Sequence, residues 1–164
     1  MTYAAFLSFQ HVASGPLPEV YAACRDLPGA LIYDERTGRV VDIDPRFPPG
    51  GEERGPGRPK LGVVPREVTL LPRHWDWLAA QPGGASVALR KLVEEASKRP
   101  DAMRPAARQA AYRFATAIAG DAPGYEEAMR ALFAGHKDDF LAVIEAWPPD
   151  VRAQLEKMTA AAFD

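Results

Sequence analysis

Residues 66–96 read REVTLLPRHWDWLAAQPGGASVALRKLVEEA, and the reading of this stretch decides the fold. Val68 and Leu70 alternate with Glu67, Thr69 and Leu71, so an extended chain presents the two sets on opposite faces. Pro72 suits the first position of a helix, where a missing N–H costs nothing. In that helix Trp75, Leu78 and Ala79 share a face, which predicts that Trp75 is a core residue, while Trp77 lies off the stripe. Pro82, Gly83 and Gly84 end it. Ser86 then reads as the cap of a second helix, in which Leu89, Leu92, Val93 and Ala96 fall at i, i+3, i+4 and i+7. The order is strand, helix, Gly-Gly turn, helix.

A lone strand cannot satisfy its own N–H and C=O groups, so it must pair. Pairing with the same strand of a second copy gives a two-stranded antiparallel ribbon on a twofold axis. Such a ribbon fits the DNA major groove with alternate side chains on base edges. Glu67, Thr69 and Leu71 are then the base-facing residues, and Val68 and Leu70 face the protein. Arg58, Lys60, Arg66 and Arg73 are placed to meet phosphates. Gly84 and Ser86, at the start of the second helix, offer backbone amides and the positive end of the helix dipole to a further phosphate.

Charge is distributed in a way that suits this reading. The whole chain has a formal net charge of −2, so it is no polycation. Residues 54–73, however, hold Arg54, Arg58, Lys60, Arg66 and Arg73 against Glu67 alone. Local charge within a Debye length of about 8–10 Å, rather than net charge, decides whether phosphate is attracted.

A strand, a helix, a glycine turn and a second helix over residues 60–97 resemble the ribbon-helix-helix family of small dimeric DNA-binding proteins. The matching residues are Val68, Thr69 and Leu70 in the strand, Leu78 in the first helix, and Gly84, Ser86 and Leu89 at the second. Glu67 and Leu71 depart from it, standing where that family usually has basic or polar groups. The resemblance implies a homodimer that binds DNA and regulates transcription. YAAFLSF, ASGPLPEV, the block from Gly57 to Ala96, and EEAMRALFAG also resemble a bacterial family, domain of unknown function 2239. That likeness implies a common architecture.

Working outward, YAAFLSF (residues 3–9) predicts a strand. Leu17, Val20, Tyr21 and Cys24 have the spacing of a helical face, with Ser14 as cap and Cys24 a core residue. ALIYD and RVVDID read as two strands around a tight turn at Gly38. Residues 45–60 hold five prolines and four glycines and read as a linker. Beyond residue 100 the periodicity predicts four helices with short connections. The expected fold is α+β. A strand-helix-hairpin unit spans residues 1–44, the linker 45–60, a ribbon-helix-helix-like module 61–100 and an attached helical region 101–164.

Other chemistry has little sequence support. The one cysteine excludes an internal disulfide, and the N-terminus lacks a basic leader. No eighteen-residue apolar run offers a membrane span. These features point to a cytoplasmic protein. His11, His74 and His136 are far apart, and no metal-binding, nucleophile-elbow or phosphate-loop motif occurs. Asp42 and Asp44, on alternate strand positions, read as a solvated face before a metal site. Trp147, with Trp75 and Trp77, raises the alternative of a stacking platform for a ligand. No cofactor and no membrane partner are expected. The first rival to DNA binding is an interaction or structural module with strand 66–71 paired in cis, and the second is an enzyme of unknown type.

Overall fold

The computed structural model describes residues 2–43, 49 and 64–163. The chain forms two compact units. One comprises Met1–Gly51 together with Pro100–Asp164, and the other is Glu52–Arg99.

In the first unit three antiparallel strands form a sheet: β1 (Tyr3–Leu7), β2 (Gln10–Gly15) and β3 (Ala30–Asp34), in the order β2-β1-β3. Helix α1 (Leu17–Cys24) joins β2 to β3. Alternation along β1 sends its side chains into two cores. Ala5 packs with Ile32, Val20 and Cys24 under α1, and the Cys24 thiol donates to the Val20 carbonyl at 2.9 Å. Ala4, Phe6 and Tyr33 face the other way, into the main core.

That core is supplied by the C-terminal helices: α4 (Pro100–Ala119), α5 (Tyr125–Ala134), α6 (Lys137–Ile144) and α7 (Pro149–Met158). Phe114, Leu132, Phe140, Ile144, Val151 and Leu155 are fully buried in it. Sequence periodicity predicts these four helices, and all four are present. The region is not a layer apart, because its core includes the N-terminal strands. Trp147 closes the far side, its indole N–H donating to the Pro123 carbonyl at 2.8 Å and its ring stacked on Tyr125. This buried, hydrogen-bonded Trp147 is a structural anchor, not a stacking platform.

Three details of the N-terminal segment depart from the expected pattern. Strand β1 ends at Leu7, and a two-residue turn at Ser8–Phe9 leads into β2. Ser8 takes φ +53°, the left-handed conformation that short hairpins require. Neither turn residue is a glycine or asparagine, so β2 has no turn signal in the sequence. Ser14 does not cap α1: it lies in β2, and Pro16 holds the cap position without a side-chain bond. The second arm of the predicted hairpin, RVVDID, is reduced to one bridge, Tyr33 to Val40. Residue 44 of that arm lies outside the described residues.

The outer edge of β2 is covered as well. The Asp150 carboxylate, in the first turn of α7, accepts the His11 backbone N–H at 2.9 Å. Covering an edge in this way removes a template for pairing with another chain. Glu35, just after β3, accepts from Lys157 at 2.6 Å and from Gln154 at 3.2 Å, so α7 is tied to both sides of the sheet.

The turn after β3 rests directly on α4. Asp34 accepts the amides of Arg36 and Thr37 through its side chain and that of Gly38 through its carbonyl. Gly38 has φ +67°, and a Cβ there would stand 1.9 Å from the Ala110 carbonyl oxygen. Arg113 reinforces the contact by donating to the Thr37 carbonyl.

Gly38→Ala should therefore cost roughly 3 kcal/mol or more, combining left-handed strain of about 1–2 kcal/mol with a backbone clash. Gly84→Ala, at φ +76° with open space around it, should cost only the strain. Urea unfolding followed by far-ultraviolet circular dichroism compares them, and equal losses would refute the packing argument.

The Tyr33 hydroxyl is buried with no hydrogen-bond partner, and burial pushes its phenol well above the ordinary range. The folded state thus holds a proton that the unfolded chain releases near pH 10, so stability falls as pH rises above about 10. Tyr33→Phe should match or slightly exceed the parent at neutral pH, because an unpaired hydroxyl contributes no hydrogen bond. It should also lose less stability in alkali. Denaturation midpoints at pH 7 and pH 11 check both outcomes.

Candidate nucleic-acid interface

The second unit, described from Val64 onward, carries the segment that the sequence marks as a ribbon. Its helices are α2 (Pro72–Ala79) and α3 (Gly84–Ser97), which pack against each other. Pro72 occupies the first turn of α2 as expected, and Leu71 before it is extended, with φ −67° and ψ 150°. The Leu71 carbonyl accepts the amides of His74 and Trp75 and so closes that turn.

Between the helices, Gly83 and Gly84 take φ +87° and +76°. The Gly84 amide donates to the Gln81 carbonyl at 2.9 Å. Because two glycines accept left-handed geometry without strain, α3 begins at Gly84, and its cap position falls three residues before the expected Ser86. Ser86 is thus not the cap; it lies inside the first turn, and Gly83 holds the cap position. No side chain caps α3; the Gly84 amide is already given to the Gln81 carbonyl, and the amides that follow it keep their capacity to donate to an anion.

Residues 64–71 form no strand in the single chain. The expected strand 66–71 is corrected in that respect: a ladder requires a second strand, and the sheet of the first unit consists of β2, β1 and β3 alone among the described residues. Arg66, Glu67, Val68, Thr69 and Leu71 are exposed, and Leu70 is half-buried. Arg73 is exposed in the first turn of α2. Arg58 and Lys60, the other two cations assigned to phosphate, lie outside the described residues, as does Asp44.

The apolar pattern of this unit is realised as surface. Leu78 and Ala88 are its only buried hydrophobic residues among those described. Val64, Val68, Leu71, Trp75, Trp77, Leu92 and Val93 are all exposed, with Val93 at 64%. Trp75, expected in a core from its helical spacing, is 41% exposed. These seven are more than half of the twelve exposed large apolar residues described, gathered in under a third of the chain.

The three histidines lie on separate elements: β2, α2 and the cap of α6. Sequence reading missed one polar pair, His11 Nε2 and Ser14 Oγ at 2.7 Å, because strand β2 had no recognisable signal. The nearby Asp150 carboxylate binds the His11 backbone amide, not its ring, so these three do not form a nucleophilic triad. No group of three or more histidine, cysteine, aspartate or glutamate residues among those described could hold a metal ion, and Asp42 stands exposed. No described helix is long and apolar enough to cross a membrane.

The structure defines an α+β protein in which a two-helix unit with an exposed apolar surface interrupts the sequence of a larger one. The chain belongs to the family DUF2239, described as an uncharacterized protein conserved in bacteria, whose model matches residues 47–159. A search of the curated proteins and a search of the solved structures each give no match.

Proposed function

We infer that the chain is a homodimeric DNA-binding protein of the cytoplasm, acting in transcriptional regulation, with residues 66–71 of two copies paired as a groove-entering ribbon. The observation that carries this reading is the state of the second unit in a single chain. Its residues 64–71 have no ladder, and its large apolar side chains are exposed. A second copy supplies both missing partners, as an isologous interface does. Arg66, Arg73 and the uncapped start of α3 at Gly84 and Ser86 then face phosphate, and Thr69 sits at the centre of the base-facing row with Glu67 and Leu71 beside it.

Light scattering on a size-exclusion column should give a dimer at micromolar concentration. A folded monomer there would remove the ribbon. Selection from fragmented genomic DNA should return enriched sites. Arg66→Ala should weaken binding to every sequence and flatten the slope of log K against log salt by about 0.9, the value for one lost phosphate contact. Thr69→Ala should leave that slope unchanged and reduce discrimination between sites by roughly 1 kcal/mol or more. Glu67→Ala separates two roles. If Glu67 only repels phosphate, its loss strengthens binding generally; if it accepts from cytosine N4, specificity falls instead. A dimer that enriches no DNA and is indifferent to Arg66→Ala at low salt would be an interaction module rather than a DNA-binding protein.

A further inference from the structure

Two hollows of the first unit differ in their charge. A groove of about 870 Å³ between α6 and α7 is lined by Lys137 and Arg152 but also by Glu145 and Glu156, so its charges cancel. A more open hollow of about 420 Å³ lies where the Gly38 turn rests on α4. Its charged side chains are Arg39 and Arg113, and no carboxylate lines it. The acids of the turn are engaged elsewhere. Asp34 accepts the Arg36 and Thr37 amides, and Glu35 accepts from Lys157 and Gln154. Among the described residues neither arginine meets a carboxylate, and Arg113 donates to the neutral Thr37 carbonyl at 3.1 Å.

We propose that this hollow binds a small organic anion, a carboxylate on a flat apolar body. Arg39 and Arg113 hold the carboxylate, and the body lies against Val40, Tyr112 and Ala117. Two cations on one hollow, with no anion beside them, set up a positive potential that draws an anionic ligand. A guanidinium fork offers two parallel N–H bonds, which match the planar carboxylate. Arg113 is half-buried and anchored through Thr37, so its fork is in place before the ligand arrives. The apolar wall is likewise preformed. Val40 is 46% exposed, and the Tyr112 ring is braced edge-on by Phe133 at 5.6 Å. Thr116 also lines the hollow, but its hydroxyl is shared between the Tyr112 carbonyl and the Tyr125 hydroxyl, so polar recognition falls to the arginines. Ligand pockets run from about 300 to 1,000 Å³, and a volume near the lower end suits a body of about one ring. The hollow lies within the first unit, so the inference stands independently of the dimer and of DNA binding.

The probe is benzoate, titrated into the full-length protein and followed by amide chemical shifts and calorimetry. Binding should saturate, with the largest shifts at residues 38–40 and 112–117. Benzamide, of the same shape without the charge, should bind about tenfold more weakly or worse, the loss expected for a missing charge-assisted hydrogen bond. Arg39→Gln, at an exposed position, should weaken benzoate by a similar factor. Arg36→Gln, on the same turn but outside the hollow, should leave benzoate binding unchanged. Circular dichroism confirms that each variant is folded. Inorganic phosphate tests the apolar wall and should bind more weakly than benzoate. The absence of saturable benzoate binding, or equal affinity in Arg39→Gln, overturns the site. Phosphate that binds as tightly as benzoate overturns the assignment of a carboxylate on an apolar body.

Discussion

The edge-to-face cluster of Phe6, Tyr33 and Phe114 is the contact on which the first unit depends. Phe114 lies 5.2 Å from each of the other two rings, centroid to centroid, and Phe6 lies 6.4 Å from Tyr33. Such pairs contribute about 0.5–1.5 kcal/mol each beyond the apolar area they bury. Their position matters more than their sum. Phe6 is on the central strand, Tyr33 on its neighbour and Phe114 on the longest helix. The cluster therefore joins the start of the chain to its second half. The Gly38 turn, the Arg113 bond and the Glu35–Lys157 pair surround this junction and hold its register.

The second unit shows the opposite balance. A helix pair with two buried hydrophobic residues among those described cannot offset the ordering entropy of its own backbone by apolar burial alone. Its helix formers, glycine turn and proline start specify local geometry well. Among the described residues its large apolar side chains are exposed. That distinction is why its function is argued from what is exposed, whereas the first unit is explained by what is hidden.

Legibility in the sequence followed the same division. The C-terminal helices could be read from periodicity because Gly120, Gly135 and the Pro148–Pro149 pair mark their limits. Strand β1 and helix α1 were equally plain. Strand β2 was not, since the Ser8–Phe9 turn adopts left-handed geometry without the usual residues. The bundle's union with the N-terminal sheet was also hidden, because periodicity shows that a face is apolar and not what covers it. For that reason the Leu89–Leu92–Val93–Ala96 stripe predicted a helix correctly while its exposure could not be foreseen. The basic residues before α2 were legible as a local charge excess. Arg54, Arg58 and Lys60 among them lie outside the described residues.

The interrupted first unit also has a consequence in time. Phe6 and Phe114 are separated by 108 residues, and the intervening sequence includes the whole of Glu52–Arg99. At ribosomal rates of about 5–20 residues per second, the N-terminal strands wait roughly 5–20 seconds before α4 is made. During that interval the Phe6 face of the sheet has no cover, and the Gly38 turn has no helix to rest on. The nascent chain must therefore keep a short, apolar, three-stranded sheet from pairing elsewhere until α4 emerges. Asp150, which caps the edge of β2 in the finished protein, arrives later than α4.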